Sequence, residues 1–201
     1  MVKIGIDFDN TIVIYDQLFH KIASEENLIP INFPKSKLLI RDYLRSKNKD
    51  ELFTLLQAEV YGRRIIEASP ANYILLTLKD LIINGHEINI ISHKSVHPYK
   101  GPKYNLHNAA MSWLEKNNFF NAKGIGLSTK NVFFNLTKED KIRKIETCDC
   151  DYFIDDLPEI LNLIKGKTKK ILYDPKKIHK NKSFILLNSW KKLKEIIEDK
   201  R

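Results

Sequence analysis

The sequence predicts an α/β protein built on an open, mostly parallel sheet with helices on both faces. Three observations carry that expectation. Short apolar runs rich in β-branched residues recur along the chain, stretches with apolar residues at helical spacing separate them, and several of the runs stop at acids or hydroxyls. Sheets of this kind bind ligands at the carboxyl ends of their strands, and the polar residues fall at that position.

The first run, Val2 to Ile6, ends at Asp7 and predicts strand one. From Tyr15 to about Ser69 the pattern is helical, over 17–26, 35–46 and 50–66, with Leu52, Leu55, Leu56 and Val60 on one face of the last. Ser69-Pro70 reads as an N-cap followed by proline at the first helical position, which predicts a helix over 71–83 closed by Asn84-Gly85. A second buried strand, 87–91, closes on Ser92, His93 and Lys94. The alternation continues with a helix over 106–117, a strand over 132–134, a helix opened by Thr137, and a strand over 152–154 that ends in Asp155 and Asp156. A helix over 158–164, strands over 170–173 and 184–186, and a terminal helix over 189–199 complete the series.

With 201 residues, 43% of them hydrophobic, the chain suffices for one sizeable core. No stretch approaches the length of a membrane span, and the N-terminal apolar run is interrupted by Asp7 and Asp9, so neither a signal peptide nor a membrane partner is expected. Cys148 and Cys150 stand too close for an unstrained disulfide and lack partners for a zinc site, which points to packing roles and a reducing, cytoplasmic setting. The net charge of +9 raises the question of nucleic acid. The charge is mostly lysine and spread over the chain, denser only in 165–170 and 176–182, so a solvated basic face is favoured over a nucleic-acid surface.

Chemistry is suggested by residues that follow three separate strands: Asp7 and Asp9, Ser92, and Asp155 with Asp156. Singly, each has an ordinary alternative as a loop acid or helix cap, and Asp155-Asp156 ahead of Leu157-Pro158 suits a cap well. Together they converge carboxylates on one sheet edge, where mutual repulsion calls for a cation and an all-oxygen donor set selects Mg²⁺.

In IGIDFDNTI the pattern Asp7-x-Asp9-x-Thr11 resembles the first motif of the haloacid dehalogenase-like superfamily. INIIS with Ser92 and YFIDD with Asp155 and Asp156 are similar to its second and fourth motifs, in the same order. The resemblance, to the phosphatase and nucleotidase branch, implies a Rossmann-like core over 1–15 and 70–201 with a helical cap inserted over 16–69. It implies Asp7 as nucleophile, forming an aspartyl-phosphate, and Asp9 as general acid and base. Thr11 and Ser92 would hold phosphate, with His93 beside them. The motif lysine is open between Lys138 and Lys141, or Lys103, which opens the helix after the second motif as in nucleotidases. Metal would be held by the Asp7 side chain, the Asp9 backbone carbonyl and the later pair, with Asp156 favoured as direct ligand over Asp155.

The expected activity is hydrolysis of a small phosphorylated metabolite, a sugar phosphate or nucleotide, with residues of the cap choosing it. Action on nucleic-acid ends and a non-catalytic regulatory role are the alternatives. His93, His97 and His107, with Lys94, Lys100 and Lys103, could line a pocket for a second anionic group, and Arg63 and Arg64 could reach a substrate from the cap. Solvent-facing or capping roles are the competing reading for all of them.

Overall fold

A computed structural model describes residues 1–179 and 183–198. Its strands are β1 (Lys3–Ile6), β2 (Val13–Ile14), β3 (Ser69–Pro70), β4 (Glu87–His93), β5 (Val132–Asn135), β6 (Tyr152–Asp155), β7 (Lys169–Tyr173) and β8 (Ile185–Leu187). Its α-helices are α1 (Asp16–Glu25), α2 (Lys37–Ser46), α3 (Asp50–Tyr61), α4 (Ile74–Ile83), α5 (Leu106–Lys116), α6 (Lys138–Thr147), α7 (Pro158–Leu163) and α8 (Leu193–Glu198). Six strands form a parallel sheet in the order β5-β4-β1-β6-β7-β8. The chain divides into two compact units, one of residues 1–13, 70–94 and 117–201, the other of 14–69 and 95–116.

The first unit carries the sheet. From β1 the chain proceeds outward through β4 to β5, then returns to the other side of β1 with β6 and runs on to β7 and β8. The direction of winding therefore reverses between β1 and β6. Right-handed crossovers then place α4 on one face and α6 and α7 on the other. The register confirms the division of side chains. Gly5, Phe153 and Ile91 share the parity of the face where Ile145, Ile160, Leu161 and Cys150 form an apolar cluster. Ile4, Ile6, Ile88, Ile90 and Ile154 take the opposite parity. Gly5 belongs in β1 because a Cβ there would stand 2.5 Å from Phe153 Cδ2 and 2.9 Å from Cys150 Sγ. Both cysteines are free, and burial pushes the Cys150 thiol up to about 12, so it packs as a small apolar side chain.

The second unit holds α1, α2, α3 and α5. Ser36 caps α2 by accepting from the Leu39 amide, and Phe19 stacks on Phe53 at 5.7 Å. Residues 95–116, with α5, group with this unit. Trp113 is buried there as a core residue, its indole N–H donating to the Ala68 carbonyl at 2.8 Å.

Two local expectations are corrected. Ser69 and Pro70 do not open a helix: they form β3, which pairs with β2, and α4 starts only after Tyr73, whose φ is 68°. Proline is tolerated in so short an edge strand, and tertiary pairing overrides the capping signal. The expected helix over 50–66 stops at Tyr61, and Ile65–Glu67 is a separate 3-10 turn. The terminal helix spans Leu193–Glu198 after a 3-10 turn at Trp190–Lys192; position 199, like 180–182 of the basic segment, lies outside the described residues. Among the described residues no helix is long and apolar enough to cross a membrane.

Replacing Gly5 with alanine forces Phe153 and Cys150 to give way inside a packed layer. The variant should lose about 1–3 kcal/mol, the range for overpacking, read as a lower urea midpoint with an unchanged slope.

Candidate active site

Where the winding reverses, β1 and β6 each end in an acid. Asp7 follows β1, its amide donating to the Ile154 carbonyl at 2.9 Å, and Asp155 is the last residue of β6. Both continue the parity of Gly5 and Phe153, so both face α6. That helix is opened by Thr137, whose hydroxyl oxygen accepts from the Asp140 amide at 3.0 Å. One turn later Lys141 and then Ile145 form its buried stripe. The Lys141 ammonium reaches both acids, 2.6 Å from Asp7 Oδ1 and 2.6 Å from Asp155 Oδ2.

All three side chains are withdrawn from water, with relative exposures of 5% for Asp7, 2% for Lys141 and 0% for Asp155. Burial alone would lower the Lys141 pKa, but the charges of Asp7 and Asp155 outweigh it and hold it above the ordinary lysine value. Burial, and then the Asp7 carboxylate, push Asp155 upward despite Lys141 and the Leu157 amide, which donates to Asp155 Oδ1 at 2.9 Å. One ammonium therefore serves two buried carboxylates. The half-buried Asp156 adds a third acid, and carboxylate oxygens of Asp7, Asp155 and Asp156 lie within 4.8 Å of one another. The N-cap of α7 is Leu157, whose side chain makes no cap bond and whose amide is the one Asp155 accepts.

The loop after β1 turns tightly. The amides of Ile12 and Val13 both donate to the Phe8 carbonyl, at 3.0 and 3.1 Å, and Asn10 takes the left-handed conformation at φ 58°, which asparagine tolerates. The turn buries Thr11 completely, and its Oγ1 has no hydrogen-bond partner. A buried hydroxyl left in that state costs about 1–3 kcal/mol. Ser92 is buried near the end of β4 in the same sheet.

The other candidates separate. Lys138 is part-exposed and pairs with Glu159 at 2.9 Å. Lys103 is exposed and belongs to the second unit, as do Lys100, paired with Glu51, and His97, bonded to the Tyr104 carbonyl. His107 also belongs to that unit. His93 is exposed, its ring bonded to the Leu136 carbonyl at 3.0 Å and so turned away from Ser92. Arg63 pairs with Glu59, and Arg64 is held between Glu25 and Glu67.

Lys94, offered by the sequence only as a possible flank for a second anionic group, is placed on Asp9 instead. Lys94 is buried and donates to both oxygens of Asp9, at 3.0 and 2.9 Å. The available signal was alternation, because Lys94 lies two residues beyond Ser92 on a strand whose ladder continues through the Lys94 amide to the Asn135 carbonyl at 2.8 Å.

This parallel sheet, with an acid-bearing loop after its first strand and a helical insertion, has the fold of the haloacid dehalogenase-like hydrolases. A HAD-superfamily hydrolase from Ehrlichia chaffeensis superposes with a TM-score of 0.57 at 11% identity, over 97% of this chain and 95% of that one. A phosphoserine phosphohydrolase-like protein from Francisella tularensis does so with a TM-score of 0.58 at 14% identity, over 98% and 100%. In sequence, the chain is similar to proteins bearing the name "Putative nucleotidase", at 24% identity in Bacillus cereus over 98% of both chains, and at 27% in Oceanobacillus iheyensis over 94% and 96%. No family model matches.

Thr11→Val removes the unpartnered hydroxyl while keeping the shape of the side chain. Thermal unfolding of that variant should be unchanged, or raised by the equivalent of about 1 kcal/mol.

Proposed function

We propose that the protein is a Mg²⁺-dependent phosphohydrolase acting on a small phosphomonoester, a sugar phosphate or a nucleotide, through an aspartyl-phosphate at Asp7. The observation that carries this reading is the Asp7 carboxylate, buried at the point where the sheet reverses its winding and held there by the Lys141 ammonium. The hydrolase fold and the nucleotidase names of the relatives support the same class of reaction.

The donor set fits a hard divalent cation: it is all carboxylate, it exceeds the charge of Lys141, and the raised pKa of Asp155 marks the surplus. Asp7, the Asp9 backbone carbonyl and Asp156 would hold the ion. Asp155 stands behind them, since its two oxygens are already bonded to Lys141 and the Leu157 amide. When bound, the cation supplies charge neutralisation for an anion approaching a carboxylate.

The chain's own groups do the rest. An oxygen of Asp7 attacks phosphorus, the bond from phosphorus to the leaving oxygen breaks, and Asp9 gives that oxygen its proton. Water then attacks the aspartyl-phosphate, Asp9 takes its proton, and inorganic phosphate departs with Asp7 restored. Lys141 fixes the nucleophile and offsets charge gathering on the phosphoryl oxygens, and the Thr11 and Ser92 hydroxyls supply bonds to them.

Purified protein should release phosphate from an aryl phosphate only with Mg²⁺, and a screen of phosphorylated metabolites should identify its preferred ester. Asp7→Asn should reduce turnover to background, whereas full activity in that variant would remove the reading. Because the Asp155 carboxyl keeps its proton to higher pH than an ordinary carboxylate, a cation must displace that proton as pH falls. Calorimetric titration should accordingly find weaker Mg²⁺ binding at pH 5 than at pH 8.

A further inference from the structure

The Asp-x-Asp loop is held by a second buried lysine, which reaches it from the other side of the sheet. Lys141 shares the parity of Gly5 and Phe153 through its bonds to Asp7 and Asp155, whereas Lys94 continues the parity of Ile88, Ile90 and Ser92. Its side chain is only 3% exposed, against 26% for the Asp9 carboxylate it grips. The Lys94 ammonium also sits 5.5 Å from the centroid of the Phe8 ring, and Phe8 in turn packs edge-on against Phe134 of β5 at 5.7 Å. The backbone amide of Lys94 donates to the Asn135 carbonyl, and the Asn135 side-chain Nδ2 donates back to the Ser92 carbonyl at 3.1 Å. Strand, ring and ammonium thus fix a side chain that is otherwise among the most mobile.

We propose that Lys94 is the positioning residue for Asp9, holding its carboxylate in the orientation from which it serves the leaving-group oxygen. The inference rests on the phosphohydrolase reading above. An acid at the tip of a tight turn would ordinarily sample several orientations, and proton transfer needs hydrogen-bond reach in one of them. Two bonds from one ammonium, one to each carboxylate oxygen, fix both the direction and the plane of the group. Lys94 touches neither phosphorus nor the leaving atom in this role, so its loss should act through Asp9 alone.

The test compares Lys94→Met, which keeps most of the stem and removes the charge, with wild-type protein in Mg²⁺ on two esters. In single turnover followed by release of the alcohol or phenol, before the aspartyl-phosphate is hydrolysed, an alkyl phosphate, whose alkoxide must be protonated to leave, should react about 10²-fold more slowly in the variant. An aryl phosphate, whose phenolate leaves unaided, should lose less than about threefold, a small fraction of a full general-acid effect. Half-saturating concentrations should be unchanged for both. Lys94→Arg should restore part of the alkyl-phosphate rate, and Lys94→Met added to Asp9→Asn should cost nothing beyond Asp9→Asn alone. Equal losses on the two esters, or a further loss in the double variant, would overturn the assignment while leaving the phosphohydrolase reading intact. Failure of the wild type to release phosphate from either ester removes both. Should Lys94→Met not fold, Lys94→Gln against Lys94→Arg gives the same comparison, with the same two outcomes deciding it.

Discussion

Two carboxylates buried at the ends of adjacent parallel strands cannot both stay ionised without a cation between them, and Lys141 is that cation. Its 2.6 Å bonds to Asp7 and Asp155 join β1, β6 and α6 at the point where the sheet changes its direction of winding. Removing one partner of such a buried set leaves a charge with no compensation, which typically costs about 3–5 kcal/mol. The neighbouring features follow from the same need. Gly5 lets Phe153 and Cys150 close the layer beneath the acids, and the Thr137 cap fixes where α6 begins, so Lys141 emerges one turn into the helix and on its inner face.

The sheet was legible because its strands are buried on both faces and read as apolar runs that stop at polar residues. Val2 to Ile6 and Tyr152 to Ile154 show this without ambiguity, and the acids that follow them are the ones the fold brings together. The choice between Lys138 and Lys141 was not legible, since both lie in the first turns of one helix and only its rotation against the sheet separates them. That rotation is set by Ile145 packing beneath β4 and β5, a tertiary fact. The strand at Ser69–Pro70 was hidden for a related reason: serine before proline is a sound local signal for a helix start, but pairing with β2 decided its conformation. His93 adjoins Ser92 in sequence, but alternation along β4 separates their side chains, and the His93 ring bonds the Leu136 carbonyl.

The basic surplus bears on the site less than its size suggests. Lysines 21, 100, 138, 167 and 194 each pair with an acid on the surface, and exposed pairs of this kind contribute between nothing and about 1 kcal/mol. The two lysines proposed to serve the chemistry, Lys141 and Lys94, are both buried, bound to Asp7 and Asp9 respectively. Net charge thus describes the solvated surface, whereas the reactive edge is locally short of positive charge. That shortage, and not the overall excess of lysine, is what a divalent cation would relieve.

The reactive edge is assembled against the preferences of a protein interior. It retains an unpartnered hydroxyl at Thr11, a carboxyl at Asp155 driven above its ordinary pKa, and two buried acids served by one ammonium. Each departs from the rule that buried polar groups are satisfied within the fold, and each departure is of the sign that a bound cation and a phosphoryl group would correct. A structural ion-pair network would be expected to close on itself, with every donor and acceptor matched. The interaction of Lys94 with Asp9 is closed in that sense, two oxygens to one ammonium, and Asp155 likewise has both oxygens bonded. The hydroxyl left without a partner at this edge is that of Thr11, one of the groups proposed above to meet the phosphoryl oxygens.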